Sequence, residues 1–179
     1  MSEFNVKENN TAGDEMMDEL HEYITNIAMK VYEMMSSAKI NVHYKRLTKT
    51  AKEPTYATEC DTCADLYADE DMVIEPHTVG KISTGLAFEE PDGVYLRILQ
   101  RSGLASKGIF PVGGVIDNQY RGDVIVALHN STNDAYRVSK GDKIAQMEVR
   151  TFHQMKLEEV TELSDGGNRG INGFGSSDR

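Results

Sequence analysis

The stretch ECDTCADLYADED, residues 59–71, holds both cysteines of the chain as C-x-x-C, followed by four acids. Those residue types at that spacing admit three chemistries: half of a thiolate zinc site, a redox pair, or a carboxylate site beside incidental sulfurs. A structural zinc needs four nitrogen or sulfur ligands. No second C-x-x-C accompanies Cys60 and Cys63, and His21, His43, His77, His129 and His153 are scattered singly. A thioredoxin-like redox pair belongs beside a βαβ pattern, which this sequence lacks. Structural or incidental cysteines remain, and the acids become the groups of interest.

Other stretches carry chemistry only in combination. LQRSGLASKG, residues 99–108, offers the planar fork of Arg101, suited to phosphate oxygens, beside a small hydroxyl and a glycine amide. GGVIDNQYRGDVIVALHN, residues 113–130, reads as a tight hairpin presenting Asp117 and Tyr120 together. Taken locally, the simpler readings are a turn-capping carboxylate and a half-buried aromatic. GDKIAQMEV, residues 141–149, enters a strand with Gln146 opposite its apolar neighbours. The tail adds Arg169, Gly-x-x-Gly-x-Gly, Phe174 and two serines, and such backbone can fold amides around phosphate. Two arginines, small residues, two aromatics and the carboxylates Asp65 and Asp117 together suit a metal-bound nucleoside phosphate.

These residues need a scaffold. With 179 residues, one compact domain with an appendage is expected. Met17, Leu20, Ile24, Ile27, Val31 and Met34 recur at helical spacing, with Thr11 or Asp14 as candidate caps. That helix either lies on a neighbouring surface or forms a short coiled coil. From Lys39 the texture changes to short β-rich runs, KINVHYKRL, GVYLRIL, DVIVALHN and IAQMEVRTF, separated by turns such as EEPDG and NSTND. An all-β jelly roll or barrel follows. The expected divisions are a helical extension over 1–38, a β domain over 39–163, and a mobile arm over 164–179.

The net charge of −10 argues against direct nucleic-acid binding. Residues 1–38 hold eight acids against two bases, so the β domain must bind any anion with a few placed cations and backbone amides. No membrane span or signal peptide is expected, and the compartment reads as reducing and cytoplasmic.

In order along the chain, PTYATECDTCADLYA, RSGLASKG, GGVIDNQYRG, GDKIAQM and RGINGFGSS resemble the five motifs of the trimeric dUTPase family. The resemblance runs from about Ile40 to Ser177. It implies a jelly-roll-like barrel that forms a homotrimer, with sites shared between subunits and the C-terminal arm closing over a neighbour. The implied reaction is Mg²⁺-dependent hydrolysis of dUTP to dUMP and pyrophosphate, which keeps uracil out of DNA and supplies dUMP for thymidylate synthesis.

By the same resemblance Asp117 is the general base, and Asp65 holds Mg²⁺ through water. Arg101, Ser102, Gly103 and Gln146 contact phosphate, and Tyr120 packs under deoxyribose. Gly114, Val115, Ile116 and Ile125 read the uracil edge. Arg169, Phe174, Gly175, Ser176 and Ser177 complete the cover from the tail. The sequence departs from the family where Cys60 and Cys63 replace small residues, in a slightly shorter stretch from Lys107 to Asp117, and at Ile171, Asn172 and Asp178. A related-fold deaminase would need a glutamate where Ala127 stands. A binding or regulatory role on the same scaffold, using the helical extension, is a further alternative.

Overall fold

The computed structural model describes residues 11–37 and 39–165. The periodic segment is helix α1, Thr11–Ser37, which extends beyond the Met17–Met34 stripe at both ends. Residues 16–32 are all exposed, so α1 does not lie on the surface of its own β domain. No helix among the described residues is long and apolar enough to cross a membrane.

The β domain is entirely antiparallel. Strands β1 (His43–Arg46) and β5 (Leu86–Glu89) form one ribbon, and β3 (Met72–Ile74) and β10 (Tyr136–Val138) another. A sheet of three is ordered β4 (Val79–Ser83), β9 (Ile125–Asn130), β7 (Ile109–Pro111). A sheet of four is ordered β2 (Ala64–Tyr67), β11 (Lys143–Thr151), β6 (Val94–Leu99), β8 (Val115–Ile116). This is the expected all-β, jelly-roll-like architecture. One helical turn, α2 (Ser102–Ala105), interrupts it.

Alternation with period two sets the inner faces. In β6, Val94, Leu96 and Ile98 are buried, and in β9, Val126, Leu128 and Asn130. Leu96, Ile98, Val126 and Leu128 meet Leu66, Ile82, Leu86 and Ile144 in one core. The buried Asn130 amide is satisfied by the carbonyls of Ile74 and Asp134, at 3.0 and 2.8 Å, as a polar group in a dry core must be. Over residues 152–165 no regular structure continues, and residues 153–165 are exposed.

Two local features position the site. The stretch expected to be a tight hairpin is not one: β7 and β9 pair with each other, while β8 leaves them and pairs with β6. Gly114 makes that crossing possible. Its φ is +108°, and a Cβ there would lie 2.7 Å from the Ile98 carbonyl oxygen, so only glycine fits. The second feature is a register shift in β11 between Lys143 and Ala145 against β2. Residues three apart on a regular strand face opposite sides. The shift brings Lys143, opposite Tyr67, and Gln146, opposite Asp65, to the same side of β2.

Candidate active site

Five of the candidate residues line one open cavity of about 740 Å³: Asp65, Arg101, Ser102, Gly103 and Gln146. Asp65 is buried on β2, where its neighbour Leu66 enters the core and turns Asp65 to the other face. Its two oxygens are held from opposite sides. Arg101 Nε donates to Oδ1 at 2.8 Å, and Lys143 Nζ lies 2.7 Å from Oδ2. The hydrogen bond to Asp65 raises the pKa of Lys143, so the ammonium stays charged across neutral pH. Arg101 also donates to the Lys143 carbonyl at 3.2 Å, and Gln146 Nε2 to the Gln100 carbonyl at 2.9 Å.

Arg101 and Lys143 flank Asp65, and Asp61 also lines the cavity and feels the Lys143 charge. An anion there would be met by the guanidinium fork and free amides rather than by excess positive charge. Arg101 is the N-cap of α2, and its carbonyl accepts the amides of Leu104 and Ala105. Ser102 and Gly103 are the first residues of that turn, where amides have no intrahelical acceptor. Lys143 escaped the sequence reading although GDKIAQ contains it, because only the register shift aims it at Asp65.

The cysteines do not form a site. Both are free: Cys60 is exposed, and Cys63 stands at the cavity wall. Burial, then the negative charges of Glu148 and Asp61, push the Cys63 thiol up, which disfavours the reactive thiolate. Asp61 instead ties its own turn together, accepting from the amides of Ala57 and Thr58 at 3.0 Å and from the Thr58 hydroxyl at 2.6 Å.

The second group of candidates lies elsewhere. Asp117 follows β8 and opens a turn closed by the Tyr120 amide on the Asp117 carbonyl at 2.9 Å. Backbone therefore caps this turn, and among the described residues the exposed Asp117 carboxylate has neither ion pair nor hydrogen bond. Tyr120, 45% exposed, donates its hydroxyl to the Asp123 carbonyl at 2.9 Å. Its ring folds over Gly122, where a Cβ would come within 2.5 Å of that hydroxyl. Val115 is 65% exposed on β8, the edge of its sheet, and an edge strand keeps unpaired backbone donors and acceptors. Ile125, also exposed, begins β9 opposite Ser83.

Sheet register gives the separation of the two groups. Asp65 pairs with Gln146, and Gln146 with Leu99, while Ile116 pairs with Leu96, so Asp117 follows on beside Tyr95. At about 3.3 Å per residue and about 4.8 Å per strand, Asp65 and Asp117 stand about 20 Å apart. The cavity holds neither Asp117 nor Tyr120. Arg169, Phe174, Gly175, Ser176 and Ser177 lie outside the described residues.

Comparison with known proteins bears directly on this arrangement. The dUTPase family profile matches residues 49–178. The deoxyuridine 5'-triphosphate nucleotidohydrolase of Alkaliphilus metalliredigens is 40% identical over 140 residues, covering 76% of this chain and 96% of the relative. The vaccinia virus enzyme is 40% identical over 136 residues, covering 76% and 92%. Among solved structures, a glycine-to-serine mutant of the dUTPase of Staphylococcus bacteriophage 80alpha with dUpNHpp is 26% identical at a TM-score of 0.70, covering 76% of this chain and 98% of that one. An aspartate-to-asparagine mutant of the dUTPase of phage phi11 of S. aureus, with a coordinated structural Mg(II) ion, shares the fold at 22% identity and a TM-score of 0.65. With nearly three quarters of its sequence under that profile and its cation pair and glycine-gated strand crossing inside the matched span, this chain belongs to the dUTPase family.

Proposed function

We propose that this chain hydrolyses dUTP to dUMP and pyrophosphate in a site completed by other copies of itself, with Asp117 as general base. Membership of the family makes it a dUTP diphosphatase; the assignment of residues is the proposal. The observation that carries it is the separation of the two groups. A phosphate cradle and an unpartnered carboxylate about 20 Å apart on one chain cannot act on one substrate, so the cradle of one copy must meet the turn of another. A closed homotrimer is the arrangement that gives every copy both roles.

Arg101 and Lys143 hold the phosphate oxygens, helped by the first amides of α2 and by Gln146. Tyr120 supports the sugar face, where a ribose hydroxyl would collide or lose hydration. The free edge of β8 reads uracil by backbone hydrogen bonds and leaves no space for a 5-methyl group; such polar slots discriminate strongly. Asp117 accepts a proton from a water whose oxygen bonds to the α-phosphorus. The bond from that phosphorus to the bridging oxygen breaks, and its electron pair leaves with pyrophosphate. A positioned carboxylate contributes about 10²–10⁴-fold in such a step.

The donor set fits Mg²⁺ only through water. No cluster of three His, Cys, Asp or Glu exists among the described residues, and both Asp65 oxygens already serve cations. Each oxygen keeps a further lone pair, enough to orient water around an ion that habitually retains several. When bound, Mg²⁺ offsets charge on the departing pyrophosphate.

Deamination is disfavoured on the local chemistry. Ala127 stands on β9 with its carbonyl accepting the Val112 amide at 2.8 Å, and a methyl group moves no proton. The deciding experiment is pyrophosphate release from dUTP, dTTP, dCTP and UTP with and without Mg²⁺. Selective, Mg²⁺-dependent turnover of dUTP is expected, and equal turnover of all four would refute the edge-strand reading of uracil.

A further inference from the structure

Glu90 follows β5, and its side chain is 0% exposed. Neither carboxylate oxygen has a hydrogen bond, and among the described residues it is the sole carboxylate with both oxygens buried in that state. Its nearest cation is Arg121, whose Nη1 lies 3.6 Å from Oε2. The same Nη1 donates to the carbonyls of Asn118 at 2.6 Å and Tyr120 at 3.0 Å. Asn118 in turn donates its amide to the carbonyls of Pro91 and Val94 at 2.8 and 2.9 Å. The turn from Asp117 to Tyr120 is thus tied at two points to the turn that begins with Glu90.

We infer that Glu90 is a positioning residue for hydrolysis, its buried carboxylate drawing the Arg121 guanidinium onto the Asp117–Tyr120 turn and so fixing the base and the sugar-facing ring. The inference rests on the reading of Asp117 and Tyr120 given above. A carboxylate taken out of water with no hydrogen bond is a liability, and losing one partner of an ion pair costs stability mainly when the other charge stays buried. Arg121 is 45% exposed and keeps its water. Burial also pushes the Glu90 carboxyl up, the mark of a group held where solvent does not help it. Among the described residues, the one cation paired with it is Arg121, whose nitrogen also grips the turn. Stability alone gives no account of that placement; restraint of the turn does, since small misplacement of a reacting group lowers turnover steeply.

The test uses Glu90→Leu and Glu90→Gln in the full chain. Glu90→Leu should melt at or above the wild-type temperature, yet lose about tenfold in kcat. Its KM should hold within about twofold, because the phosphate cradle is on other strands. Preference for dUTP over UTP should fall with kcat, because Tyr120 rides on the same turn, and the Tyr120 amide should exchange faster with solvent. A stable Glu90→Leu with wild-type kcat and wild-type sugar preference overturns the inference. If Glu90→Leu does not fold, Glu90→Gln decides: it keeps the shape without the charge and should lose about threefold in kcat, and wild-type turnover in it is equally fatal. Exchange at Tyr120 is read without substrate. A wild type inactive on dUTP would therefore refute the catalytic reading, whereas unchanged exchange in the variants would refute the restraint.

Discussion

In the phosphate cradle, Arg101 and Lys143 close on the Asp65 carboxylate from two sides, at 2.8 and 2.7 Å. Asp117, on the turn after β8, stands exposed with no side-chain partner among the described residues. On the proposed assignment, the contrast follows from what each carboxylate has to do. Two cations beside each other repel, so the cradle needs a resident anion to hold its shape before substrate arrives. A base has the opposite requirement: strong hydrogen bonds to its charged form lower its proton affinity. Its lone pairs must stay open to water. On the proposed assignment, one half is built to be preformed, and the other to remain bare until a second copy covers it.

The sharpest way to break this comparison is Asp117→Ala. Turnover should fall by about 10³-fold while a non-hydrolysable dUTP analogue still binds, measured by calorimetry. A nearly active variant would remove Asp117 from the chemistry. Next in size is complementation. Asp117→Ala and Arg101→Ala, each inactive alone, should on mixing and reassembly recover about a quarter of wild-type activity, since each shared site draws its two parts independently. No recovery would mean that one chain supplies both halves.

Arg101→Lys should raise KM for dUTP by about tenfold, because the point charge of lysine cannot replace a guanidinium engaged on two sides. The smallest effect concerns the support of the bare half. Burial raises the Glu90 pKa, so its contribution to stability is full below the ordinary carboxylate range and lost as pH rises through the raised value. Glu90→Gln should thus melt above wild type near neutral pH, with the gap closing as pH falls. A gap constant with pH would show that Glu90 does not titrate in a buried site.

Much of the scaffold was legible. GVYLRIL, DVIVALHN and IAQMEVRTF became β6, β9 and β11 because strict alternation in a strand leaves one face to bury. The first, second and fourth motifs converged on one cavity, since residues at matched positions of neighbouring strands must share a face. The fate of β8 was not legible: turn residues mark where a strand ends, but not which strand it joins. Nor was Lys143, whose direction depends on a register shift that no pattern of residue types announces. Glu90 in EEPDG reads as a solvated turn acid, and only tertiary contact buries it. For α1 the stripe of Met17, Leu20, Ile24, Ile27, Val31 and Met34 did yield a helix. Periodicity has no information on what meets that stripe, and residues 16–32 stay exposed within the described chain.

The approach of Gly114 to the Ile98 carbonyl has a consequence for how this protein can vary. Position 114 contributes no side chain to any reaction, yet a methyl group there would part β8 from β6 and carry Asp117 away with it. In a saturation scan for dUTP turnover, such a site would register as intolerant as the proposed base itself. It would be a dead column of the mutational map whose cause is steric, three residues before the one whose cause is chemical.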